Sequence, residues 1–322
     1  MNDRLEDFSL TKTIKSKKSL QKVGVVGCGA MGQEIMILVS QSGIEVAFIE
    51  INKERIDKVY SSLDAMLTER INKWGLTQSE KKLILSRISG SIDYQSLAGC
   101  DIVIESLNIS RKGSSIGLRQ DVFKRIEEVV SAETVIVSNT ATIIISEIAS
   151  VLNHPERSLG LHFFSPVSKI KIIEAVRSFH TNDKSYELIS KFALMIGKKL
   201  IPVNESPGNV STRMLVTLIN EACEMLMEGV ASANHIDEIV RETSGLLDGP
   251  FEMADKIGID NVLKWMENLY AEFGDVKFKP SPILRRLVRA NMFGRRTGEG
   301  FYIYSNGKKI IKKGPIHSLG RE

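Results

Sequence analysis

The feature that most limits what this chain can become is the run Gly27-Cys28-Gly29-Ala30-Met31-Gly32. Val23, Val25 and Val26 precede it as a short apolar strand, and Ile35, Leu38 and Val39 follow it at helical spacing. Gly43 closes that helix, and Val46, Ala47, Phe48 and Ile49 read as a second buried strand. Strand, glycine turn, helix and strand within about 30 residues make a βαβ unit. In that setting Gly27 permits a tight turn, Gly29 lets a pyrophosphate approach the backbone, and Gly32 allows close helix–sheet packing. The helix start, at Ala30 and Met31, presents unpaired N–H groups and the positive end of the helix dipole to the phosphates. Glu50 ends the second strand. A carboxylate there accepts hydrogen bonds from a ribose hydroxyl and repels a 2′-phosphate, which favours NAD over NADP.

The rest of the first half alternates in the same way. Lys53–Leu85 reads as a pair of helices broken at Gly75, strands recur at Ile102–Ile104 and Thr134–Val137, and a helix spans about Leu118–Val130 between them. Further strands are expected at Leu159–His162 and Ile170–Ala175. Alternation of this kind implies a parallel, doubly wound sheet of the Rossmann type. From Pro202 to Gly208 two prolines disfavour helix and suggest a linker or turn. Beyond it almost everything reads helical. Met214, Leu215, Leu218, Ile219, Ala222, Met225 and Leu226 form an apolar stripe ended by Gly229, a core face that could also serve a dimer. The expected organisation is a tail over residues 1–20, an NAD-binding α/β domain over 21–204, an all-α domain over 205–308 for substrate and dimerisation, and a tail over 309–322.

Composition narrows the class. With 322 residues, 43% hydrophobic and 25% charged, the chain is long enough for about two domains and is neither low-complexity nor disordered. Cys28, Cys100 and Cys223 form neither a disulfide framework nor a metal-ligand spacing, so a reducing compartment and no metal are expected. No apolar run nears the roughly 20 residues that cross a bilayer. A net charge of +4 is too small to argue for nucleic acid. The expectation is a soluble cytoplasmic protein without nucleic-acid or membrane partners.

Among five histidines, only His162 ends an apolar strand, in Gly160-Leu161-His162-Phe163-Phe164-Ser165-Pro166. Glu174 ends the next apolar stretch. A carboxylate against an imidazole stabilises the imidazolium, which suits a base taking an alcohol proton while hydride leaves for a nicotinamide. A lone buried histidine is more often structural, so the residues alone leave both readings open.

At this point the chain resembles the L-3-hydroxyacyl-CoA dehydrogenases, across about Lys22–Tyr304. The blocks that carry the resemblance are GCGAMG (27–32), DIVIES (101–106), SNTA (138–141), GLHFFSP (160–166), IIE (172–174), SPG (206–208), GPFEMADKIGID (249–260) and FGRRTGEGFYIY (293–304). The resemblance implies oxidation of a 3-hydroxyacyl thioester to the 3-oxoacyl thioester, or its reverse, with His162 as base and Glu174 as its partner. It places NAD on the loop from Gly27 to Gly32, with Glu50 on the ribose. Asn139, Arg119 and Arg296 fall beside the cofactor, Ser138 and Thr212 beside the substrate, and Lys73 near a lysine that meets CoA phosphates. It also implies a homodimer made by the helical domain.

Departures from the family pattern fall mainly on substrate contacts. Ala141 stands where the family has the serine that bonds the reacting oxygen, Thr212 where it has an asparagine, and Ser165 where HFFNP has its asparagine. The acid that normally follows the strand Ile102–Glu105 falls near Ile109, the family lysine falls near Arg119, and about five extra residues around Ser110–Gly117 read as a surface loop. Retained base with altered grip suggests an unusual acyl group, with an acyl carrier protein as an alternative to CoA. An inactive NAD-binding homologue is the reading from another class. A 3-hydroxyisobutyrate-type enzyme ranks last, because Met214–Glu228 lacks the lysine such enzymes commonly use.

Overall fold

The computed structural model describes residues 20–108 and 115–312, and the chain divides into two compact units. The first holds the described residues up to Asn139, then Ala149–Ile173 and His180–Leu200. The second holds Thr140–Ile148, Glu174–Phe179 and the described residues from Ile201 on. The tail expected over residues 1–20 lies outside the described residues apart from Leu20, as does the end of the chain from residue 313.

The first unit begins with β1 (Lys22–Val26), α1 (Ala30–Gln41) and β2 (Glu45–Ile49), the βαβ unit read from the sequence. β1 and β2 pair in parallel from Lys22↔Glu45 to Val26↔Ile49. α2 (Lys53–Asn72) and α3 (Gln78–Ser86) are the broken helical pair, with Gly75 between them. Asn52 caps α2, accepting from the Arg55 N–H, and Thr77 with Glu80 forms a reciprocal capping box on α3.

β3 (Ile88–Ser91), β4 (Ile102–Glu105), α4 (Ser115–Glu127), β5 (Val135–Ser138), α5 (Ile145–Ala149) and β6 (Ser158–His162) follow, then β7 (Ile172–Arg177), α6 (Asp183–Met195) and β8 (Lys199–Asn204). The sheet order is β3-β2-β1-β4-β5-β6-β7-β8, and the five pairings from β3 to β6 are parallel. Strand order reverses at β1, which lies between β2 and β4, and in open sheets of this kind ligands bind beyond the carboxyl ends of the strands at such a point. Val25, Phe48, Ile104, Val137 and Leu161 are fully buried, one from each of five strands, with Ile35 of α1 and Phe123 of α4 against them. Each such side chain stabilises the fold by roughly 1.5–3 kcal/mol.

Several expectations change. β3 reads Ile-Ser-Gly-Ser and β8 contains Pro202, so neither carries a strand signature, and both form because they lie along an existing sheet. The linker expected from Pro202 starts two residues later, after Asn204. α4 begins at Ser115, so Ser115–Gly117 belong to its first turn rather than to a loop. Residues 110–114 of that insertion, and Ile109, lie outside the described residues.

The second unit is built on α7 (Ser211–Glu228), α8 (Ala233–Ser244), α9 (Pro250–Ile257), α10 (Ile259–Phe273) and α11 (Pro282–Arg289). It also contains an antiparallel hairpin, β9 (Ile303–Ser305) and β10 (Lys308–Ile310), which the all-helical reading lacked and which carries regular structure past residue 308. α7 turns Val216, Ile219, Ala222, Cys223 and Leu226 into the core and ends at Gly229 with φ 76°. Met214 is 71% exposed, so the buried face is rotated from the expected stripe. Asn220 explains part of the rotation. Its amide donates to the Lys279 carbonyl and accepts from the Ser281 N–H, holding a polar residue on the buried side.

Two buried carboxylates link distant elements of this unit. Asp237 of α8 accepts from the N–H groups of Phe251 and Glu252, capping α9, and from the Tyr302 hydroxyl. Asp255 of α9 accepts from the N–H groups of Phe301 and Tyr302 and from the Tyr304 hydroxyl. Burial pushes both carboxyls up, Asp255 to about 6.

Candidate active site

The glycine loop in the first unit is shaped for a phosphate group. Gly27 has φ +95°, and a Cβ there would lie 2.8 Å from the Leu107 nitrogen. At Gly32 a Cβ would meet the Gly27 carbonyl at 2.3 Å, so α1 approaches β1 closely only without a side chain. Gly29 differs, because a Cβ there meets nothing within 4 Å. It caps α1 with no side-chain bond, Ala30 is exposed, Met31 is half-buried, and no acidic residue occupies the first turn. The helix start therefore keeps donors and positive potential for an anion. Glu50 stands beside this loop, its carboxylate accepting from the Cys28 N–H at 3.4 Å and the Ile51 N–H at 3.2 Å. Burial, and then the Glu50 charge, push the Cys28 thiol up, so it is a packed neutral group. These residues fit NAD: Gly29 and the first turn of α1 would hold the pyrophosphate, and Glu50 the ribose diol.

His162 is buried at the carboxyl end of β6. Its imidazole meets the Phe164 ring edge-on, with centroids 4.7 Å apart. The segment after it is tied down in the same unit. Asn139, just beyond β5, accepts from the Phe163 N–H at 2.8 Å, while its amide reaches the Ser106 hydroxyl at 3.4 Å. Ser165 donates its hydroxyl to Glu34 of α1 at 2.8 Å, and the Val167 N–H donates to the same carboxylate.

Beneath these residues lies a buried ionic cluster. Glu105, the last residue of β4, is fully buried and pairs with Arg119 of α4. Ser138 donates to the other oxygen of Glu105 at 2.6 Å, and Arg119 also donates to the Leu107 carbonyl at 2.8 Å. Arg119 and Ser138, expected beside cofactor and substrate, are thus directed into the protein. The reason is electrostatic: a carboxylate with no exposed surface needs a cation and hydrogen bonds in place of water. Asn139 likewise serves backbone and hydroxyl partners. Lys73 lies in the open, paired with Glu69 one turn earlier.

The second unit holds the other expected residues. Glu174 accepts from the N–H and the hydroxyl of Ser211, both at 3.0 Å, at the start of α7. Thr212 follows, with 2% exposure. Thr142, next to Ala141, accepts from the Asn268 amide at 2.9 Å. Arg296 is exposed, paired with Asp260 at 2.7 Å and placed over the Phe293 ring.

Comparison with known proteins identifies the family. Residues 22–206 match the profile of the 3-hydroxyacyl-CoA dehydrogenase NAD-binding domain, and 208–304 that of the C-terminal domain of the same enzymes. The chain belongs to the 3-hydroxyacyl-CoA dehydrogenase family. From Lys22 on, the first unit falls within that family's NAD-binding domain. Among its relatives is a probable 3-hydroxybutyryl-CoA dehydrogenase of Deinococcus radiodurans, 35% identical over 88% of this chain and 100% of that protein. The 3-hydroxybutyryl-CoA dehydrogenase of Clostridioides difficile is 35% identical over 88% of this chain and 99% of its own. The solved (S)-3-hydroxybutyryl-CoA dehydrogenase of Ralstonia eutropha superposes with a TM-score of 0.81 at 36% identity, covering 89% of this chain and all of that one.

Sequence reasoning passed over Glu34, Glu105 and Lys198. Glu105 lies in the DIVIES block and Glu34 in the helix that follows the glycine turn, but neither position, nor that of Lys198, shows a partner in the sequence, because the partners come from distant segments. Among the described residues no helix is long and apolar enough to cross a membrane.

Proposed function

We propose that this protein oxidises the 3-hydroxyl of an acyl-CoA thioester to the ketone with NAD, or runs the reverse reduction. The observation that carries the reading is membership of the 3-hydroxyacyl-CoA dehydrogenase family across residues 22–304, with the histidine of its GLHFF block kept at the end of β6. Bound NAD supplies the hydride acceptor. His162 takes the hydroxyl proton in the oxidative direction and returns it in the other, as general base and acid. Its buried setting excludes water from the ring, and the Phe164 edge limits its rotation. Glu174 is the proposed partner that favours the imidazolium, and the double hydrogen bond from Ser211 orients that carboxylate.

The substrate contacts are the altered part of the machinery. Ala141 offers no hydroxyl to the reacting oxygen, and the Ser138 proton is directed at Glu105. The loss of one such donor costs roughly 10²–10³ in rate unless another group replaces it. Thr212, Lys73 and Arg296 remain proposed contacts to substrate and cofactor. CoA is the favoured carrier because the named relatives act on 3-hydroxybutyryl-CoA. A mildly basic chain is also compatible with an acidic carrier protein. A homodimer through the second unit is proposed on the exposed apolar residues Met214, Ile239 and Leu247.

The test is NADH formation from 3-hydroxybutyryl-CoA by wild type and by His162→Ala. Activity that vanishes with the histidine supports the reading. NAD binding without turnover of CoA or carrier-protein substrates would point to an inactive homologue instead.

A further inference from the structure

Val167, five residues beyond the histidine, is held at both its backbone N–H and its carbonyl by side chains of opposite charge. Its N–H donates to the Glu34 carboxylate, and its carbonyl accepts from the Lys198 ammonium. Glu34 also accepts from the Ser165 hydroxyl, and Lys198 also donates to the Ile170 carbonyl. Lys198 is buried, and burial lowers its pKa, so a lysine here needs those carbonyls to remain charged. A surface loop has no use for such a device. Burying an ammonium is unfavourable, and an apolar residue of similar length would fill the same volume without that cost.

We propose that Glu34 and Lys198 are positioning residues for the base, holding segment 163–170 so that the His162 imidazole keeps one orientation. The coupling runs through short covalent and packed steps. Val167 and Ser165 anchor the backbone on either side of residue 166, Phe164 packs its ring edge on the imidazole, and Asn139 fixes the Phe163 N–H. Glu34 stands in the second turn of α1, the helix that opens with the glycine loop. The base-bearing segment is therefore registered to the same helix that receives the cofactor phosphates. This inference rests on His162 being the base.

The experiment measures kcat and KM separately for Glu34→Ala, Glu34→Gln, Ser165→Ala and Lys198→Met, with 3-hydroxybutyryl-CoA and NAD, beside His162→Ala. Misplacing a reacting group by about 1 Å costs on the order of 10²-fold. Glu34→Ala and Lys198→Met are therefore expected to lower kcat by about 10- to 100-fold while both KM values stay within about twofold. Glu34→Gln, which keeps one acceptor oxygen, recovers part of the rate. Ser165→Ala gives a smaller loss that does not add to that of Glu34→Ala, because both break one contact. Wild-type kcat in folded Glu34→Ala and Ser165→Ala would overturn the proposal, as would losses confined to KM. If Glu34→Ala does not fold, Ser165→Ala decides by itself, since it removes only a hydroxyl. A His162→Ala variant that keeps its activity would instead overturn the assignment of the base.

Discussion

Ala141 is proposed to stand where a hydroxyl would meet the reacting oxygen. If the reacting oxygen lacks a hydroxyl donor there, Ala141→Ser restores one, and kcat with 3-hydroxybutyryl-CoA is expected to rise by roughly tenfold or more. An unchanged rate would mean that another group already holds the oxygen. Trp74 makes a residue-scale case about stability. It follows α2 with φ 57° and 97% exposure, a left-handed position that usually falls to glycine. For a bulky side chain that conformation costs about 1–2 kcal/mol, and no burial offsets it. Trp74→Gly is therefore expected to raise the midpoint of thermal unfolding, a gain readable by circular dichroism. Gly75 signals the break between α2 and α3 in the sequence. That the strained position is its neighbour is decided by where the last helical carbonyls of α2 find their donors, with the Trp74 N–H on Ile71 and the Gly75 N–H on Arg70.

At the scale of elements, the Glu105–Arg119 pair ties α4 to the end of β4. Breaking one side of a buried pair leaves an uncompensated charge, which costs about 3–5 kcal/mol. Arg119→Leu should lose that much stability in urea denaturation, and Glu105→Leu with Arg119→Leu should recover part of it, because no unpaired charge remains, while the Ser138 hydroxyl and the Leu107 N–H and carbonyl still lose their partners. Equal losses in the single and double variants would show that the pair is not coupled. Elements themselves were largely legible. β1, α1, β2, α2, α3, β4, β5 and β6 follow apolar periodicity and turn residues that act within a few positions. β3 and β8 were not legible, since both are strands by virtue of lying along a sheet edge. The start of α4 was likewise missed, because Ser115-Ile116-Gly117 has a loop-like composition and becomes helical as the lead-in to the Arg119 anchor.

Across the whole molecule, pH acts on the buried carboxylates of the second unit. Asp255 binds its proton more tightly folded than unfolded, with its pKa raised from 3.8 to about 6. Its contribution is thus fully present below about pH 3.8 and is lost as pH rises through 6, a swing of about 3 kcal/mol by linkage. Asp255→Asn does not titrate, so the stability of wild type relative to this variant should increase when pH is lowered from 7.5 to 4. A difference independent of pH would show that Asp255 is ionised throughout. The burial of the carboxyl causes the effect, and it persists against three hydrogen-bond donors from residues 301–304.

The division between what the chain spells out and what folding adds follows the range of the forces. The glycine turn, the acid at Glu50, the strand ending in His162, the two-part order of α/β followed by helices and the family blocks are all local. Each depends on dihedral freedom, side-chain period or capping within one element or its immediate neighbours, and the sequence alone determined them. The direction of Arg119 into the sheet, the hold of Glu34 and Lys198 on Val167, the capping of α9 by Asp237 and the rotation of α7 needed the tertiary structure. In each of these a charged or polar group must be satisfied once burial removes it from water, and its partner comes from a segment far along the chain. Hydrophobic spacing shows which residues leave solvent. It carries no record of which distant donor will meet a buried carboxylate, because that choice is made only when the elements pack.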